Sequence, residues 1–92
     1  MAEGTEVAYF LAELYLPPAG PGRAAEAAAR ARAAAEEVAR DGDPVRFLRI
    51  IFVPGDETCF VAYEAAASEA VAEAGRRAGL DFERIVPAVE VG

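Results

Sequence analysis

The order of predicted elements in this sequence indicates an α+β fold of the βαββαβ type, a four-stranded antiparallel sheet with two helices on one face. The first observation is the stretch 45–64, where two apolar, β-branched runs flank the turn sequence Pro-Gly-Asp-Glu and predict a hairpin. The second is an alanine-rich pattern of glutamate and arginine on each side of that hairpin, which is typical of helices. The third is a strand-like segment beyond each helix. We expect residues 1–92 to form a single domain.

The first and last strands are predicted at residues 7–16 and 85–91, and residues 1–6 are expected to be a loose N-terminal tail. Pro17 and Pro18 end the first strand, and a turn follows at residues 19–22. Pro87 lies inside the last strand and indicates a sheet edge, because proline cannot donate to a hydrogen-bond ladder. Alternation along the first strand puts one set of side chains on a common face: Tyr9, Leu11, Glu13 and Tyr15.

The two helices are predicted at residues 23–40 and 68–78. Alanine favours the first helix, and Asp41-Gly42 provides its stop. Ser68 is the expected N-cap of the second helix, and Gly79 is its expected C-cap, with Leu80 as hydrophobic partner. The first helix carries mixed charges on its outer face, which argues against a helix lying on a membrane surface.

The central hairpin is predicted to turn at residues 54–57, which places Val53 opposite Thr58 and Arg49 opposite Ala62. One face of the hairpin then carries Arg49, Ile51, Phe60 and Glu64, with Phe47 and Val53 on the same side. The other face carries Leu48, Ile50, Phe52, Cys59, Val61 and Tyr63. A slip of one residue would exchange the two faces.

This arrangement of elements is ferredoxin-like, with the first and third strands at the centre of the sheet. Large apolar residues fall on both faces of the predicted strands, although two helices can cover only one face. A second copy of the chain is the simplest cover for the other face. We therefore expect a homodimer through the open sheet face, with a different protein partner as the alternative.

The composition excludes several partners and compartments. The net charge of −7 argues against binding to nucleic acid and to anionic membranes. The single cysteine excludes an internal disulfide and fits a reducing cytoplasm. Because the sequence also has no long apolar run and no signal-peptide pattern at its acidic start, we expect a soluble cytoplasmic protein.

Three stretches of the sequence resemble a little-characterised bacterial family that includes a nickel-binding, nickel-responsive protein of actinobacteria. They are LAELYLP (11–17), RFLRIIFVPGDETCFVAYEA (46–65) and SEAVAEAGRRAGLDFERIVPAVEV (68–91). The resemblance implies a ferredoxin-like homodimer, in agreement with the strand pattern. The nickel-binding member uses histidines on or near its first two strands, whereas this chain has none. Carboxylates alone would hold nickel weakly, so we expect no metal and no cofactor; Cys59 with Glu13 from each subunit is the remaining alternative.

Polar side chains within the apolar strands are the candidate ligand-binding residues of a cavity at the open face: Glu13, Tyr15, Arg49, Tyr63 and Glu64. An arginine there could bind the carboxylate of a ligand, and a glutamate shielded from water could act as an acid or base. The interpretation that we favour over a site is structural: Glu13 or Glu64 pairs with Arg49, and the tyrosines cap the interface. We predict no catalytic residue, because Cys59 has no histidine to activate it and Ser68 is explained as a cap.

Two classes of function remain open at the level of the sequence. The first is a homodimeric protein that binds a small non-metal ligand. The second is a cofactor-independent enzyme of the dimeric α/β-barrel kind, such as an isomerase or monooxygenase acting on a hydrophobic molecule, which depends on fold analogy alone. A deep apolar pocket holding an unpaired Glu13 or Tyr15 would favour the enzyme.

Overall fold

The computed structural model describes residues 7–15, 21–89 and 91, so the predicted tail and the predicted turn after the first strand lie largely outside the described residues. The elements follow the predicted order: β1 (Ala8–Tyr15), α1 (Pro21–Arg40), β2 (Val45–Val53), a 3-10 turn (Pro54–Asp56), β3 (Thr58–Ala65), α2 (Ser68–Ala78) and β4 (Arg84–Ala88). The four strands form one antiparallel sheet in the order β2-β3-β1-β4. The predicted βαββαβ fold is confirmed, with β1 and β3 at its centre.

The helix ends differ slightly from the prediction. Helix α1 begins at Pro21, because proline is tolerated in the first turn, where its missing N–H would have no helical partner. Ser68 is not the cap of α2: Ala67 occupies that position, without a side-chain hydrogen bond, and Ser68 is the first helical residue. Gly79 has a left-handed φ of 72° and ends α2 as predicted, and the Leu80 N–H donates to the Gly75 carbonyl at 2.9 Å.

The predicted register of the hairpin is correct at its closed end and changes at its open end. Val53 pairs with Thr58, and Arg49 pairs with Ala62, both as predicted. A β-bulge lies between Phe47 and Arg49, so that Leu48 is the extra residue of β2. Phe47 therefore lies on the helix side at 8 % exposure, and its predicted place on the open face is wrong. Strict alternation cannot anticipate a bulge, because one extra residue reverses the face of everything beyond it.

The core lies between the helices and one face of the sheet. The sheet contributes alternate residues of each central strand, including Phe10, Leu14, Val61 and Tyr63, and the helices contribute mainly alanine and valine. Small helix residues let the backbones approach closely. A Cβ atom on Gly75, for example, would lie 2.5 Å from the ring of Phe82. In the described part of the chain, no charged side chain is buried.

Strand β4 is a sheet edge, since it pairs with β1 alone, and it contains Pro87 as predicted. It is shorter than the sequence indicates, because it ends at Ala88. Within the residues that the structure describes, no helix is both long and apolar enough to cross a membrane.

Candidate functional site

The sheet face that points away from the helices, called the open face below, has an apolar centre. Three rows of directly paired residues cross all four strands on this face, and one of them runs from Arg46 through Glu64 and Tyr9 to Ala88. The second row runs from Arg49 through Ala62 and Leu11 to Val86. The next row runs from Ile51 through Phe60 and Glu13 to Arg84. Ile51, on the edge strand β2, is 49 % exposed, so the apolar surface of this face extends uncovered to that edge.

Glutamates on the open face are held by arginines on neighbouring strands. Glu64 accepts a hydrogen bond from Arg46 at 2.8 Å, and Glu13 lies 3.2 Å from the guanidinium of Arg84. In each pair the two residues are direct cross-strand neighbours. The predicted pairing of Glu13 or Glu64 with Arg49 is therefore wrong, because Arg49 lies opposite Ala62.

Tyr15 lies at the end of the open face next to the hairpin turn. Its hydroxyl donates a 2.6 Å hydrogen bond to Oε1 of Glu57, a residue with a positive φ of 54°. The hydrogen bond and the negative charge of Glu57 raise the pKa of Tyr15 above its ordinary value, because ionisation would place two anions together. Tyr15 is thus tied to the hairpin turn rather than free in a cavity.

Tyr63 does not belong to the open face. It is fully buried on the helix side, where its ring makes edge contacts with Phe47 and Phe82 at centroid distances of 6.2 and 6.1 Å. Its hydroxyl has no hydrogen-bond partner in the described structure, and burial raises the pKa of this phenol far above its ordinary value. Tyr63 and Glu64 are adjacent in a strand and must face opposite ways. Its assignment to the same cavity as Glu64 is wrong.

Among the predicted site residues that lie on the open face, Arg49 is the one without a charged or hydrogen-bonding partner among the described residues. Its exposed side chain begins on the edge strand β2, at the margin of the open face. The sequence reasoning missed the partner residues Arg46, Glu57 and Arg84. The cross-strand register could have indicated Arg46, because a register that includes the bulge places Arg46 directly opposite Glu64.

The residues present do not fit a nickel site. The chain has no histidine, and the described part contains no group of three or more cysteine, aspartate or glutamate residues that could hold a metal ion. Cys59 is fully buried on the helix side, and burial raises the pKa of its thiol, which disfavours the thiolate that metals bind. Glu13 points to the opposite face, so these two residues of one chain cannot share a metal ion.

Comparison with known proteins gives one family and one fold. The family model described as "Nickel responsive protein SCO4226-like" matches residues 10–88. The crystal structure of SCO4226 from Streptomyces coelicolor A3(2) matches with a TM-score of 0.75 and 20% sequence identity, over 92% of this chain and 100% of that chain. At this identity the structural match shows the same fold. No curated protein matches the chain.

Proposed function

This chain belongs to the family of nickel responsive SCO4226-like proteins, and we propose that it is a homodimeric binding protein for a small, non-metal ligand. The observation that carries the proposal is the apolar surface of the open face, where Leu11 and Phe60 lie on the two central strands and Ile51, beside Phe60 on the edge strand, is half exposed. The same face of a second copy covers such a surface with matching apolar groups. A two-fold dimer is the simplest assembly that does so.

The size of the open face supports this assembly. Four strands about 4.8 Å apart and about eight residues long make a face of roughly 19 by 26 Å, or about 500 Å². Two such faces together reach about 1,000 Å², the lower limit for a specific interface. We therefore expect a dimer that is stable at micromolar concentration and dissociates on dilution.

The choice of ligand follows from the donor atoms. A family described as nickel responsive suggests nickel, but this chain offers no imidazole, and its thiol is buried in the core. Nickel prefers those two ligand types over carboxylates. The carboxylates of Glu13 and Glu64 are in addition engaged by arginine. We propose that Arg49, which has no such partner in the described structure, contacts the ligand instead.

A binding function is favoured over catalysis by the same contacts. An enzyme on this fold would need a free acid or base. Of the two candidates, Glu13 is paired with Arg84, and Tyr15 is hydrogen-bonded to Glu57. The chain is acidic and has one cysteine, and we place it in the cytoplasm, where thiols stay reduced.

Native mass spectrometry of untagged protein tests the proposal. We expect a mass of two chains together with a retained organic ligand and without stoichiometric nickel. Sedimentation at several concentrations gives the matched solution measurement, and Ile51→Asp should yield folded monomers because it buries a charge in the proposed interface. A wild-type monomer at high micromolar concentration would contradict the dimer, and stoichiometric nickel would contradict the ligand class.

A further inference from the structure

A groove runs beside the edge strand β2, between that strand and the first half of α1. Its volume is about 300 Å³, and its walls include Ala24 and Ala28 of α1 and Phe47, Ile50 and Phe52 of β2. This volume is at the lower end of the range of ligand sites, about 300 to 1,000 Å³. The walls that α1 provides lie on the opposite side of the sheet from the open face, so a dimer through the open face leaves them accessible.

Two arginines, Arg32 and Arg49, line this groove together with apolar side chains, and none of the described residues that line it is acidic. Neither arginine has a carboxylate partner in the described structure. In a chain of net charge −7, two unneutralised guanidinium groups at one groove make a local positive site. Its charge is complementary to an anion.

The geometry of the two arginines suits this role. The guanidinium carbon of Arg32 lies 4.9 Å from the ring centroid of Phe47, over its face. A guanidinium held against an aromatic face keeps N–H groups in its own plane for hydrogen bonds to an anion. The bulge at Leu48 places Phe47 and Ile50 on the helix side with Arg49 between them in sequence. Arg49 starts on the open-face side of this edge strand, and as a lining residue of the groove it puts a cation at the strand edge beside the apolar wall.

The other grooves lack this combination. The neighbouring groove of about 200 Å³ shares Arg32 and Phe47 but is also lined by Glu36. In the groove between the helices, Arg77 contacts the carboxylates of Glu37, Asp41 and Glu73, and Arg30 donates to the Ala78 carbonyl. Those guanidinium groups already have acceptors.

We propose that the groove between α1 and β2 binds a small molecule with an apolar body and one carboxylate group, held by Arg32 and Arg49. The proposal rests on the binding function above and names its site and ligand class. The apolar body lies against Phe47, Ile50 and Phe52, and the carboxylate lies between the two guanidinium groups. Arginine suits a carboxylate because its N–H groups match the two oxygens.

Decanoate and decanol are matched probes, since they share an apolar chain and differ in charge. Isothermal titration should show that wild-type protein binds decanoate about tenfold more tightly than decanol. The double variant Arg32→Gln/Arg49→Gln should lose about tenfold in decanoate affinity and should bind decanol unchanged. Arg40→Gln is the control, because Arg40 is an exposed arginine of the same helix that is not among the described lining residues. It should stay within about twofold of wild type.

Amide chemical-shift mapping with decanoate locates the site. Shifts at residues 24–28 and 47–52 are expected, and circular dichroism of the double variant confirms that it is folded. The proposed site would be overturned by equal affinity for both probes or by a double variant with unchanged decanoate affinity. Shifts confined to Leu11, Phe60 and Val86 would overturn it as well. These results leave the dimer and a retained ligand untouched, since native mass spectrometry measures both without decanoate.

Discussion

The two faces of the sheet are built from alternate residues of the same strands, yet the contacts that their side chains make are different. On the helix face, Val61 and Tyr63 are fully buried, and the described residues there include no charged side chain. On the open face, Phe60 is half-buried, and Glu64 is paired with Arg46. Contact with the helices stabilises the first face, whereas the second combines cross-strand ion pairs with uncovered apolar groups. The comparison separates residues that stabilise the monomer from residues available for binding.

The largest expected difference between the faces comes from two aromatic residues of β3. Tyr63→Ala should lower the free energy of unfolding by about 3–5 kcal/mol, because it leaves a cavity in the core. Phe60→Ala should cost the monomer about 1–2 kcal/mol, because its ring is already partly in water. Urea unfolding measures both losses, at a protein concentration low enough for the dimer to be dissociated. Equal losses would mean that the open face is packed as well as the core.

Alkaline pH should distinguish the tyrosines of the two faces. Burial raises the pKa of Tyr63, so the unfolded chain ionises first, near pH 10. Stability is then fully present below pH 10 and decreases above it by about 1.4 kcal/mol per pH unit, up to the raised native pKa. Tyr63→Phe should remove this loss, whereas Tyr15→Phe should remove little of it, because Tyr15 is exposed. Urea midpoints from pH 8 to 11 test this.

Cys59 serves as an internal control in the alkaline experiment. Burial also raises the pKa of its thiol, so its contribution to stability decreases above pH 9 in every variant alike. A Tyr63→Phe variant that loses stability in step with wild type would show that the phenol is not desolvated in the native state.

A smaller effect is expected from filling space on the covered side. Gly75→Ala should destabilise the protein by about 1–2 kcal/mol, because the new Cβ atom would meet the Phe82 ring at 2.5 Å. Gly22→Ala in α1 is the matched control, since nothing lies within 4 Å of its Cβ position. The control should stay within about 0.5 kcal/mol of wild type, because Gly22 lies in the first turn of α1, where helix propensity has less effect than in the interior. Thermal unfolding of both variants gives the comparison, and a gain for Gly75→Ala would show that α2 can move away from Phe82.

The smallest effect is expected from an ion pair on the open face. Glu64→Gln should cost about 0.5 kcal/mol, since the Arg46 side chain is 70% exposed and solvent screens the pair. A double-mutant cycle with Arg46→Gln isolates the pair by urea unfolding. A coupling above about 2 kcal/mol would mean that this pair is desolvated, as it would be inside a tight dimer.

The sequence predicted the fold through local patterns, and it predicted part of the candidate site. Alternation in β1 placed Glu13 and Tyr15 on a common face, as observed. Arg49 was expected among ligand-binding residues, and of the four that lie on the open face it is the one that the described structure leaves without a polar partner. Because Tyr63 is buried, it too lacks a hydrogen-bond partner, but it cannot reach the open face. The role proposed for Arg32 was not predicted, because its position on α1 reads as an ordinary solvated helix face.

What the sequence determined by itself was the order of elements, the turn of the hairpin and the edge position of β4, since each follows from interactions between residues close in the chain. What only the tertiary structure decided was which charges pair and which groove carries free cations. Those depend on the bulge at Leu48 and on the distance between α1 and β2, and both are set by packing between segments far apart in sequence. Local propensities carry no information about such contacts, because many registers are compatible with the same alternation.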